Sequence, residues 1–364
     1  NAPSIKLIYS SEMINIAAVA GLWAAGLLKV VVFSRGTLVL SPIKLVFLSL
    51  FTVMWIFLLF YGAAGPYAVI TLKLVLKYLG VYAAVIGLAV LITHPKEIYT
   101  LIALQLIWAV GLAVFQLSGG IEFSREESQH YLTVGVPLAA GFVTLFGCFL
   151  MFRNWFAKLL CISAAIVIVL ALTTLLGRSP ILFSSGTVIV FWIMVVLFNG
   201  TITQKIKHLL LLVVSFAVVL TVIVNNVSEH WLMRFQGLSN VEEEPRTLIY
   251  DTAFELINNN LLGYGLNSSD LLIGIYPHNI FLESLISGGI GSLIPLLAMV
   301  AVFIVVLIHS LRMQSFLMPC CMLAVYLFLT WNVSFELSSA FTPIGAMAVS
   351  FVAYELMTRN RQAS

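Results

Sequence analysis

Residues 277–309, PHNIFLESLISGGIGSLIPLLAMVAVFIVVLIH, contain one carboxylate, Glu283, and no lysine or arginine. A helix rises about 1.5 Å per residue and a bilayer's hydrocarbon core is about 30 Å thick, so an apolar run of this length spans a membrane. Working outward, the same test finds eleven such segments: 13–33, 45–62, 66–93, 98–117, 132–152, 157–176, 181–199, 207–225, 281–309, 316–333 and 341–357. The expected fold is all-α, a polytopic membrane helix bundle forming a single integral membrane domain over residues 1–364. The third segment is over-long and carries Lys73 and Lys77. It is either one tilted helix or a short interfacial piece followed by a span.

Composition excludes the other classes. The chain is 61% hydrophobic and 9% charged, with a mean hydropathy of +1.09, far from a soluble globular domain. A formal charge of +3 with scattered basic residues argues against a nucleic-acid partner. Cys148, Cys161, Cys320 and Cys321 lie in apolar segments without metal-ligand spacing, so they read as buried filler.

Lysine and arginine flanking short loops mark the cytoplasmic side. One set of alternate loops collects eleven, from Lys29 and Arg35 to Arg359 and Arg361; the other collects five, Lys6, Arg125, Arg178, Arg234 and Arg246. The C-terminus is thereby assigned to the cytoplasm. An odd number of spans leaves the N-terminus outside, and a twelfth helix ahead of Asn1 would return it to the inside. No basic segment followed by a short apolar core opens the chain, so no cleavable signal peptide is read. Of fifteen Asp and Glu, only Glu97 and Glu355 fall on the cytoplasmic side. Polar chemistry is expected on the outer face.

That face carries the one long polar stretch, residues 226–278, together with Arg178 and the acidic connection Gly119–His130. Within the stretch, Pro245 to Ile257 predicts an amphipathic helix whose apolar face holds Leu248, Ile249, Ala253, Leu256 and Ile257. Asn258-Asn259-Asn260 with Gly263 supplies its stop, and Gly263 to Ser269 reads as a turn-rich loop. Such a helix lies on the membrane surface or caps the bundle.

Arginine binds phosphate through a planar, permanently charged fork, so two arginines from different loops suit a diphosphate. Histidine exchanges protons near neutral pH, and His278 stands at the mouth of a span with Glu283 about one turn further in. Each residue also has a plainer reading. Arg178 can anchor a helix end at the interface. Arg234 can fix loop structure, and His278 with Asn279 can cap the ninth span. Glu283 is harder to dismiss, because ionisable groups within membrane helices are costly. Lys73 and Lys77, four residues apart, either line a watery groove that attracts phosphate or snorkel outward.

Four blocks then carry a family resemblance: Leu172-Thr173-Thr174-Leu175-Leu176-Gly177-Arg178-Ser179-Pro180; Arg234-Phe235-Gln236-Gly237-Leu238-Ser239; Arg246 through Asn259-Asn260-Leu261-Leu262-Gly263-Tyr264-Gly265; and His278-Asn279-Ile280-Phe281-Leu282-Glu283 with Gly289 behind. In this order they resemble the bacterial O-antigen ligases and O-antigen polymerases, over residues 172–293. Two positions depart from the family pattern. Asn260 stands where members often carry proline, and Ser292 stands where the ligase-like pattern places Gly, Thr or Tyr.

The resemblance implies a glycosyltransferase-C-like membrane enzyme, working at the periplasmic face of the bacterial inner membrane with no metal or other cofactor. It implies inverting transfer of an undecaprenyl diphosphate-linked glycan to lipid A-core, as a ligase, or to a second lipid-linked repeat, as a polymerase. A polymerase would also partner a chain-length regulator. By the resemblance, Arg178 and Arg246 match the arginines assigned to the donor diphosphate and His278 matches the essential histidine. A third reading, a lipid-linked sugar transporter or flippase, predicts internal repeats, and none is visible.

Overall fold

The computed structural model describes residues 12–33, 40–119, 130–175, 178–199, 245–313 and 315–363, together with residues 203, 206, 210 and 221. The described residues are helical, with no strand among them. In chain order the helices are α1 (Glu12–Phe33), α2 (Pro42–Ile56), α3 (Leu72–Leu91), α4 (Pro95–Leu117), α5 (His130–Met151), α6 (Trp155–Thr173), α7 (Arg178–Asn199), α8 (Pro245–Asn259), α9 (Ser268–Leu272), α10 (Ile280–Met313), α11 (Leu317–Ser334) and α12 (Phe341–Ala363). Among the described residues, eight helices are long and apolar enough to cross a membrane: Pro42–Ala64, Leu72–Leu91, Pro95–Leu117, Val134–Met151, Trp155–Thr173, Ser179–Phe198, Ile280–Arg312 and Leu317–Ser334. The chain is a multi-pass, all-helical membrane protein. α1 and α12 coincide with two more of the expected segments. Of segment 207–225, only residues 210 and 221 lie among those described.

The over-long third segment resolves into two parts. Residues 65–71 are not helical, and α3 starts at Leu72, where the Thr71 hydroxyl accepts the Leu74 N–H at 3.2 Å. α2 continues into one π turn (Phe57–Tyr61) and one 3-10 turn (Gly62–Ala64) before that non-helical piece.

Packing groups the chain into two compact units. The first comprises Asn1–Ile98, Pro245–Val306 and Trp331–Ser364; the second comprises Tyr99–Glu244 and Leu307–Thr330. In the first, α3 packs against α12 and α1, and α2 packs against α12. An aromatic column forms its core: Phe47 stacks on Phe351 at 4.6 Å, Phe51 on Tyr82 at 5.6 Å, and the Trp55 indole donates to the Tyr78 carbonyl at 2.8 Å. Lys44, counted among the cytoplasmic flanks, is buried against Glu355 at 2.8 Å, with the two side chains 4% and 2% exposed. Arg359, one turn on, pairs with the same carboxylate.

In the second unit, α5 packs against α6 and α7. With no apolar-versus-water contrast to drive helices together in lipid, close backbone approach and interhelical hydrogen bonds take over. A Cβ at Gly141 would strike Ala109 and one at Gly147 would strike Pro319. Gln105 donates to Thr144 at 3.2 Å and Gln116 to Thr174 at 3.1 Å. All four cysteines are buried thiols, as expected from their apolar surroundings.

One irregularity in the first unit positions the candidate site. α10 is interrupted at Gly289 (φ 65°, ψ −162°), and the backbone of residues 261–264 fills the gap. The Tyr264 N–H donates to the Ile286 carbonyl at 2.7 Å, and the Ile290 N–H donates to the Leu261 carbonyl at 3.0 Å. These bonds satisfy groups that the broken helix ladder leaves open, so the irregular backbone is tolerable inside a membrane protein. The next residues knit onto residues 62–69: Leu266 N–H to Gly62, Tyr67 N–H to Tyr264, and Val69 N–H to Leu266, at 2.7, 3.0 and 2.9 Å.

Candidate functional site

The predicted amphipathic helix is α8, and its packing corrects the expected apolar face. Ala253 and Ile257 are buried against Ile286 of α10, with Tyr264, Ile273, Leu282 and Leu285 around them. Leu248 is 72% exposed, so it belongs to the opposite side. Of the two placements expected for this helix, the Ala253–Ile257 face meets α10. The turn after α8 is tied by Asn260, whose side chain donates to the Gly263 carbonyl at 2.8 Å and accepts the Leu262 N–H at 3.0 Å. That dual bonding is work a proline could not do.

Ser292, the second departure, sits in the break of α10. It is fully buried, lies 2.9 Å from the Ser284 hydroxyl, and reaches the Ser284 and Gly289 carbonyls at 2.7 and 3.0 Å. A hydroxyl there satisfies carbonyls that the kink exposes.

Residues 276–283 form the mouth of α10. Asn279 caps the helix: its side-chain oxygen accepts the Phe281 and Leu282 N–H groups at 3.0 and 3.1 Å. His278 has φ 51°, in the left-handed region, at a cost on the order of 1 kcal/mol or more for a residue other than glycine. Its ring lies 4.4 Å from the Tyr276 ring at 59°. Such strain recurs where a side chain must be aimed.

Glu283 is 1% exposed, and its Oε2 accepts the main-chain N–H of Leu337 at 2.7 Å. Glu283, expected about one turn in from His278, has one of its oxygens held by the 3-10 turn Leu337–Ser339 between α11 and α12. Just before that turn, Glu336 pairs with Lys77 at 3.0 Å, the side chains being 26% and 39% exposed. Lys77 is therefore an exposed, ion-paired residue of α3, and Lys73 is exposed as well. Asp270 of α9 accepts from the Asn267 side chain at 2.7 Å. Burial first, then the carboxylates of Glu336, Glu283 and Asp270, push the Tyr276 phenol above its ordinary value, so it stays a neutral donor.

The structure thus brings His278, Asn279, Glu283 and Lys77 into one unit with Tyr276, Asp270 and Glu336. Arg178 is the first residue of α7, in the second unit, and Arg246 is the second residue of α8; the side chains of both, and all of Arg234, lie outside the described residues. Much of the polar stretch ahead of Pro245 and the connection 120–129 are likewise outside them. Sequence reasoning missed Glu336. The available signal was a carboxylate in the short, serine-rich connection Ser334 to Ser339 on the same side as His278, but its partner Lys77 is 259 residues away. No group of three His, Cys, Asp or Glu among the described residues is placed to hold a metal ion. No family model, curated protein or solved structure matches the chain.

Proposed function

We propose that the chain is an inverting, metal-independent glycosyltransferase of the bacterial inner membrane that uses an undecaprenyl diphosphate-linked glycan, an O-antigen ligase with lipid A-core as acceptor. The periplasm would face the Tyr276–Glu283 mouth of α10, and the C-terminus would lie in the cytoplasm. The acceptor hydroxyl oxygen attacks the anomeric carbon as the bond to diphosphate breaks, and its proton passes to His278. The diphosphate would leave with the charge it gains held by Arg178 and Arg246, Arg234 being a further candidate for substrate binding. Guanidinium groups in a partly dry site stabilise such charge far better than in water.

The observation that carries this reading is that the resembling residues have structural reasons to occur together. The Leu261–Gly265 block fills the break behind Gly289, and His278, in a strained left-handed backbone conformation, immediately precedes the Asn279 cap of the same helix. The polymerase reading, joining lipid-linked repeats, keeps the same residues and changes only the acceptor. An interrupted helix near a buried carboxylate also occurs in transporters, where unwound backbone carbonyls coordinate ions. Here the carbonyls of Ile286 and Leu261 at the break already accept backbone N–H groups, which favours the enzyme.

The test is transfer from a synthetic undecaprenyl diphosphate-linked glycan by the purified, reconstituted protein, with each acceptor in turn. Arg178→Ala or Arg246→Ala is expected to cut turnover by about a hundredfold or more while membrane insertion is unchanged. Full activity in either variant rejects the diphosphate clamp.

A further inference from the structure

The connection between α11 and α12 is more firmly held than a surface loop requires. Glu283 accepts the Leu337 N–H from within α10, and the Trp331 indole donates to the Ser339 hydroxyl at 3.2 Å. That hydroxyl donates onward to the Glu336 carbonyl at 2.9 Å, and Phe335 stacks on Trp331 at 4.2 Å. Together these contacts fix where Glu336 stands. Unlike Glu283, Glu336 is reachable, with 26% of its side chain exposed. Lys77 engages Oε1, which leaves Oε2 to accept a second hydrogen bond.

The Leu337 N–H that Glu283 accepts belongs to the residue next to Glu336, which ties that carboxylate's backbone to the first turn of α10, just beyond His278. Tyr276, whose ring meets His278, feels the charges of Glu336, Glu283 and Asp270. Tyr78, one residue beyond Lys77 on α3, is 0% exposed, and its hydroxyl has no hydrogen-bond partner among the described residues. A buried phenol without a partner costs about 1–3 kcal/mol.

We propose that Glu336, held by Lys77, is a specificity-determining residue of the same reaction, its carboxylate accepting a hydrogen bond from a non-reacting hydroxyl of the acceptor sugar beside His278. The proposal rests on the glycosyl-transfer reading above. A carboxylate suits a sugar hydroxyl because it is an acceptor with two oxygens and forms stronger bonds than a neutral group. Lys77 then orients the acid rather than binding phosphate.

The experiment uses the full chain in nanodiscs, a synthetic undecaprenyl diphosphate-linked oligosaccharide as donor, and titrated acceptor. One arm supplies lipid A-core oligosaccharide and the other a second lipid-linked glycan. Glu336→Ala is expected to raise the acceptor KM about tenfold or more with the donor KM unchanged, whereas Glu336→Gln, which keeps an acceptor oxygen, loses less. The double variant Glu336→Ala with Lys77→Met stays impaired, because the missing contact is with substrate. If the double variant regains the wild-type acceptor KM, the pair is only a structural ion pair and the proposal fails. An unchanged acceptor KM in Glu336→Ala overturns it too, and should that variant not fold, Glu336→Gln and Lys77→Met decide by the same KM. A wild type that transfers in neither arm overturns the glycosyl-transfer reading itself and this inference with it.

Discussion

Replacing Gly289 by alanine should destabilise the first unit by an amount the structure lets one work out. The residue has φ 65° and ψ −162°, a conformation left almost wholly to glycine, and forcing a side chain into it costs about 1–3 kcal/mol. Space is lacking as well. The new Cβ would run into the carbonyl group of Leu262, which is backbone and has no rotamer with which to yield. Relief requires the 261–264 segment to withdraw, and its two hydrogen bonds into the break would weaken, at about 0.5–1.5 kcal/mol each. The total is about 2–6 kcal/mol. Gly111 provides the control, because a Cβ there meets nothing within 4 Å in the middle of α4. Gly111→Ala should be neutral or stabilising by up to about 1 kcal/mol. Thermal unfolding followed by tryptophan fluorescence in one detergent compares the two. A Gly289→Ala protein melting with the wild type, or above it, would show that the break in α10 is not required.

Two further perturbations separate scaffolding from chemistry. Glu283→Leu leaves the buried Leu337 N–H without its acceptor and should cost about 1–3 kcal/mol, whereas Glu283→Gln keeps an oxygen in place and should melt much closer to the wild type; a stable Glu283→Gln protein that has lost transfer would give the charge a chemical role beyond the latch. Glu355→Leu strands the buried Lys44 charge and should destabilise by about 3–5 kcal/mol, with Lys44→Met restoring most of the loss in the double variant, as read by melting temperature and yield of folded protein.

Eight of the eleven expected spans coincide with long apolar helices, because lipid leaves a backbone few ways to satisfy its N–H and C=O groups, and apolar runs of about 20 residues announce the solution. The amphipathic helix α8 was legible too, from the spacing of Ala253 and Ile257, although Leu248 shared that spacing and proved exposed. Spacing states which residues could share a face; only the neighbouring Ile286 decides which of them are covered.

What the sequence by itself determined is the class of protein, an all-helical multi-pass membrane chain, and a short roster of polar residues concentrated around His278. Tertiary structure alone decided that Gly289 interrupts a helix, that Lys44 is buried against Glu355, and that Lys77 and Glu336 meet although 259 residues separate them. The physical reason is one of range. Hydrophobic burial and helix periodicity are local and additive along the chain, whereas ion pairs and backbone repairs join residues hundreds of positions apart whose encounter no local pattern encodes.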